Sequence, residues 1–306
     1  MLPAVNTLAA ISGIVGLVLI IARLGYGRGL AIASLAFVVA YFACSLTFGY
    51  LDGFYYCLLY SMISVFPAIF MGWAARNLRS PGTVAVYGFI PMALLFLLFM
   101  FLYSEWVKDI PFFIESLDLK METMLKSNPD FSGLIEKNYG AGGKAMEQFM
   151  KEFNQIIERG IKIIPGFLLI GFLGFSVVSL SIAGNIAGKL SVMLPRFRPF
   201  YLWKASEWWL LPTFIGLVPI VFSRNDLWFY AGLNILIVTG HVYMIVGLAI
   251  MEAYFKKVFV PAPIRVIFYI VLFLGGPVSM AFLAVLGLAD TKFNFKREID
   301  EVENKD

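Results

Sequence analysis

Charge is what this chain has least of. Of its 306 residues only 14% are Asp, Glu, Lys or Arg while 60% are hydrophobic, against about 25% charged and 45–50% apolar in ordinary soluble domains. A soluble fold of this length cannot hide that much apolar surface, so no part of it reads as a soluble enzyme. Histidine is scarcer still, with one in the chain, His241. Zinc-dependent intramembrane hydrolysis needs several ligands, commonly His pairs one helical turn apart, and a single His excludes it. Ser176 in Leu173-Gly174-Phe175-Ser176 has neither a nucleophile elbow around it nor a second His as base. The two cysteines, Cys44 and Cys57, both fall in apolar runs, where a thiol acts as a small hydrophobe, and no disulfide is expected. Asp290 in Gly287-Leu288-Ala289-Asp290 has no second intramembrane aspartate with which to share a proton. Gly140-Ala141-Gly142-Gly143-Lys144 fails the phosphate-loop pattern, with Asn138 in place of its first glycine and Ala145 in place of its hydroxyl. The chain is therefore read as a non-enzyme, without metal or cofactor.

What is there is oil in lengths that match a bilayer. A helix needs about 20 apolar residues to cross a hydrocarbon core of about 30 Å, and such runs lie near 3–23, 29–50, 54–74, 84–105, 163–188, 207–223, 228–253 and 263–289. The expected fold is all-α, a polytopic integral membrane protein of about eight transmembrane helices whose first partner is the lipid bilayer. The sixth run is the shortest and carries Pro212 and Pro219, so it is the one that could be broken or re-entrant. No positively charged region precedes the first run, which reads as a retained span rather than a cleaved signal.

The net charge of +4 is spread along short connections rather than gathered on one face, which argues against nucleic acid. It reads instead as topology. Eleven Lys and Arg, from Arg23 and Arg28 to Lys256, Lys257 and Arg265, fall in one alternating set of connections, whereas the opposite short connections hold only Arg224. The rich set is assigned to the cytoplasm. That places both termini outside, although Lys292, Lys296 and Arg297 weigh against an outer C-terminus.

Four segments follow: spans 1–4 in 1–105, a polar stretch in 106–162, spans 5–8 in 163–289 and a charged tail in 290–306. Within 106–162, Met146, Phe149, Met150, Phe153, Ile156 and Ile157 recur at helical spacing, with Glu147/Lys151 and Glu158/Lys162 as i,i+4 pairs opposite. An earlier candidate helix carries Ile114, Leu117, Met121, Met124 and Leu125, and Pro129 and several glycines separate the two. This predicts an extracytoplasmic helical hairpin whose apolar faces pack on each other, on the membrane interface or on a partner.

Three features could carry function. His241 lies near the middle of the seventh run, where an ionisable group is costly, and Asn234 precedes it by two turns on the same face. Gly275-Gly276-Pro277, near the middle of the eighth run, can open the backbone hydrogen-bond ladder. Together they match a midplane ligand site, or else a hydrogen-bonded histidine and glycines used for close packing. Ala183, Gly184, Ala187 and Gly188 form a small-residue face for another helix. The Arg196–Trp209 connection mixes Arg196, Arg198 and Lys204 with Trp203 and other aromatics, suiting either interfacial anchoring or docking of a membrane or cytoplasmic protein subunit.

The stretch from Phe200 to Pro212, Gly247-Leu248-Ala249-Ile250, and the run from Leu286 to Arg297 with its Gly287, Asp290 and aromatic-basic ending resemble the YybS-like family of uncharacterised bacterial membrane proteins. That resemblance implies a bacterial inner-membrane protein. It also implies a distant likeness to the substrate-binding membrane subunits of energy-coupling-factor transporters, which typically have about six spans rather than eight. The expected function is a transporter-like membrane subunit binding a small ligand near Asn234, His241 and Gly275–Pro277. The alternative is a non-transporting scaffold recruiting partners through the outer hairpin or residues 196–209.

Overall fold

The computed structural model describes residues 3–77, 79–102, 123 and 143–295. Among the described residues every apolar run is helical and there is no strand. The helices are α1 (Pro3–Leu24), α2 (Tyr26–Phe48), α3 (Tyr50–Tyr60), α4 (Phe66–Arg76), α5 (Pro81–Leu102), α6 (Gly143–Lys189), α7 (Leu210–Phe222), α8 (Asp226–Lys257), α9 (Ala262–Leu274) and α10 (Gly276–Phe293). Among the described residues four helices are long and apolar enough to cross a membrane, or five if the bent pair α9–α10 counts as one span. Ala10–Leu24 within α1, Ile63–Arg76 ending with α4 and Glu207–Phe222 ending with α7 are shorter apolar helical stretches. The protein is an all-α polytopic membrane protein. Its exposed surface is crowded with large apolar side chains such as Leu46, Phe214, Phe222 and Phe273, which lipid rather than water can solvate.

The chain forms two compact units, Met1–Leu95 with Gly166–Asp306, and Phe96–Pro165. The first is centred on Ile14, Val18, Met71, Val84, Leu180 and Ala183. Span 3 is not one uniform helix: α3 and α4 are joined by a π-helical turn, Ser61–Val65. Pro67 accounts for it, since the proline has no N–H to return to Ile63 and its ring crowds that carbonyl, and widening the turn relieves both.

In the second unit, Ile114, Leu117, Met121, Met124 and Leu125 of the expected first arm, and Pro129 of the turn, lie outside the described residues. The second arm is helical, with Phe149 and Phe153 stacked at 6.0 Å and Lys162 paired to Glu158 at 2.8 Å. It is not a separate element. It belongs to the 47-residue helix α6, which carries Pro165 in its interior and leads directly into the fifth apolar run.

The sixth run is short rather than broken. A 3₁₀ turn, Glu207–Trp209, leads into α7, which passes Pro219 and ends where Ser223 N–H donates to the Pro219 carbonyl. Asn225 caps α8 by accepting from Leu227 N–H at 2.8 Å, satisfying one of the donors that a helix start leaves open. Gly216 and Gly232 let α7 and α8 cross with backbone nearly touching backbone.

Candidate functional site

Asn234 joins two helices. Its Oδ1 accepts from Gly166 N–H at 2.7 Å, clamping α6 to α8, and its Nδ2 donates to the Tyr230 carbonyl at 2.8 Å. His241 turns inward on its own helix, with Nδ1 at 2.9 Å from the Ile237 carbonyl, and sits edge-on to Phe167 at 6.2 Å. In that geometry Nδ1 carries the proton.

The ladder does open at Gly275-Gly276. α9 and α10 are bent by 112° there, Gly276 adopts φ +56°, a conformation that other residues pay to enter, and Pro277 opens the new helix. The break and His241 are nevertheless separated. α10 packs antiparallel along α8: a Cβ on Gly247 would strike the Leu283 carbonyl, and one on Gly287 the Tyr243 carbonyl. Extending that register puts Gly276 beside Tyr254, about 20 Å from His241 along the axis at 1.5 Å per residue. The bend thus falls near the end of α8 that carries Lys256 and Lys257, and the single depth expected for these features is not what the fold provides.

The small-residue face of α6 is divided. Ala183 and Ala187 are buried, Ala183 within the central cluster, whereas Gly184 and Gly188 receive the folded-back side chain of Arg196 instead of another helix. The aromatics of the next connection pack on one another: Trp203 lies 5.2 Å from Phe197 and 5.5 Å from Phe200, and its Nε1 donates to the Arg198 carbonyl at 2.8 Å. Arg198 and Lys204 remain exposed.

A cavity of about 600 Å³ opens between the last turns of α8, the α9–α10 pair and residues 199–201. Met244, Leu248, Leu272, Phe273, Met280 and Leu283 give it apolar walls. One edge is charged. Glu252 accepts from Arg265 Nη1 at 2.7 Å and from the Tyr269 hydroxyl at 2.7 Å, and Arg265 Nε also donates to the Val260 carbonyl at 2.8 Å. Phe255 stacks edge-on against Phe268 and Tyr269 at 5.0 and 6.1 Å. Lys256 Nζ stands 3.5 Å from the centre of the Tyr201 ring. A cavity of this size, apolar with a few polar groups at one edge, has the proportions of a small-molecule site. Among the described residues no group of three or more His, Cys, Asp or Glu could hold a metal.

None of the residues singled out as a midplane site lines this cavity. Glu252 and Tyr269 were missed, and Arg265 counted only as a topology charge. A signal was present: Glu252 is the one acidic residue in the 228–253 apolar run, and Arg265 and Tyr269 are one turn apart on α9.

No curated protein and no solved structure matches the chain. A family model does match it, over residues 1–291, and the chain belongs to the family described as Predicted membrane protein (DUF2232).

Proposed function

We propose that this protein is a transporter-like subunit of a bacterial cytoplasmic membrane that binds a small ligand between α8 and the α9–α10 pair. The observation that carries this reading is the cavity of about 600 Å³ with apolar walls and a charged edge. A half-buried ionisable cluster in a membrane segment is costly and tends to be kept where it meets a substrate or an ion. The likeness of the sequence after residue 195 to YybS-like proteins, and through them to the membrane subunits of energy-coupling-factor transporters, supports the same reading. No catalytic step is assigned to it. Counting Lys and Arg puts the cavity toward the cytoplasmic side, with both termini outside.

Native mass spectrometry of the gently purified full chain tests this by reporting bound small molecules and protein partners together. A bound small molecule, lost with Leu248→Trp that fills the cavity, is the expected result; a co-purifying ATPase would identify the energy source. Absence of any small molecule, with thermal stability unchanged across a broad metabolite panel, would sink it. Protein partners without a ligand would favour the scaffold reading, for which the observation is that Arg198, Lys204 and Trp208 are all exposed within the 196–209 segment, Trp208 at 80% exposure.

A further inference from the structure

The charges at the cavity edge do not cancel, and the imbalance has a definite sign. Glu252 is matched by Arg265 and by the Tyr269 hydroxyl, each at 2.7 Å. Lys256, which also lines the cavity, meets no carboxylate among the described residues, and its ammonium rests on the Tyr201 ring. An aromatic face holds a cation in place without neutralising it. The walls beyond that edge offer carbon and the thioethers of Met244 and Met280, polarizable side chains that adapt to an apolar body of irregular shape.

We infer that the cavity takes an amphipathic organic anion, its acidic head at Lys256 and its apolar body among Met244, Leu248, Met280 and Leu283. This inference rests on the reading of the cavity as a ligand site and names the class of its ligand. A cationic amphiphile would face uncompensated Lys256 at the edge, and a neutral one would leave that ammonium without a counter-charge as its water is displaced. The anion could come from a free carboxylate of fatty-acid type or from the head of an anionic phospholipid; both present the same chemistry.

The test uses the full chain in phosphatidylcholine nanodiscs and three photoreactive probes with the same decyl body and a diazirine at its end: a decanoate, a decyltrimethylammonium and a decanol. The decanoate is expected to label peptides containing Met244, Leu248, Met280 or Leu283, with apparent affinity falling about ten-fold in Lys256→Gln, the loss of one charge-assisted contact. Lys256→Arg should retain it, and so should Lys257→Gln. Equal or stronger labelling of these peptides by the ammonium or alcohol probe overturns the anion assignment and leaves the ligand site standing. Labelling of the cavity by none of the probes overturns both. Competition by phosphatidylglycerol supports the inference with a lipid as the source, and competition by free decanoate alone supports it with a free acid.

Discussion

Arg265 reaches back 13 positions to donate to Glu252 at 2.7 Å, and this contact ties α9 to α8. Both side chains are about four-fifths covered, at 22% and 18% exposure, so neither can recover full hydration when the other is removed. Glu252→Gln and Arg265→Gln should each lower stability by about 1–3 kcal/mol, below the 3–5 typical of fully buried pairs. The double variant should lose less than the sum of the singles, as groups in contact do. Thermal melts of the four proteins in one detergent check this. Additive losses would mean that the pair contributes no coupling.

The glycines of the α8–α10 seam are required by space. Any side chain on Gly247 or Gly287 runs into a backbone carbonyl of the facing helix, which cannot rotate away. Gly247→Ala and Gly287→Ala are expected to cost about 1–3 kcal/mol or more, the range for overpacking. Gly240, two turns before Gly247 on the same face of α8, meets nothing within 4 Å, and Gly240→Ala should raise stability by about 0.5–1 kcal/mol through the helix preference alone. The same melting assay distinguishes them by sign.

Asn234 and His241 should behave differently from each other and from the cavity residues. Asn234→Ala removes the acceptor for Gly166 N–H and should cost about 1 kcal/mol, as for one partly buried hydrogen bond. His241→Ala breaks only a contact within its own helix and a ring edge, and is expected to leave ligand retention unchanged in native mass spectra. Loss of ligand with His241→Ala at normal stability would return the site to the middle of α8.

Orientation can be read from both ends. If α8 runs from outside to inside, as the count of Lys and Arg predicts, the antiparallel α10 runs outward, and a reporter fused after residue 306 is expected outside. Alkaline phosphatase is expected to be active there and a fluorescent protein dark. The opposite result would show that Lys292, Lys296 and Arg297 govern the last segment.

The sequence carried the helices, since apolar runs of bilayer length admit little else, and it carried the break at Gly275-Gly276, because two glycines before a proline cannot hold a ladder. It did not carry where that break would sit. Depth was counted along the chain as if 263–289 ran straight, whereas α9 turns by 112° from α10 and moves the bend toward the Lys256 end of α8. Nor did periodicity reveal that the amphipathic arm and the fifth run are one helix, because residue pattern reports which face is apolar and not whether the ladder continues through Pro165. Glu252 escaped notice because its partners lie on the next helix, and only the turn at Val258–Pro261 brings them back to it.

The cavity has walls of unequal stiffness. On one side, α8 and α10 touch carbonyl to glycine along their shared seam and can move only as a single bar. On the other, α9 has no buried residue, is attached through the Arg265–Glu252 ion pair, the Tyr269–Glu252 hydrogen bond and a few aromatic edges, and meets α10 at a pair of glycines. Of the helices around the cavity α9 is the one least held, so mechanical work done on that helix, by lateral pressure in the membrane or by a protein pushing on it, bears on whatever the cavity holds.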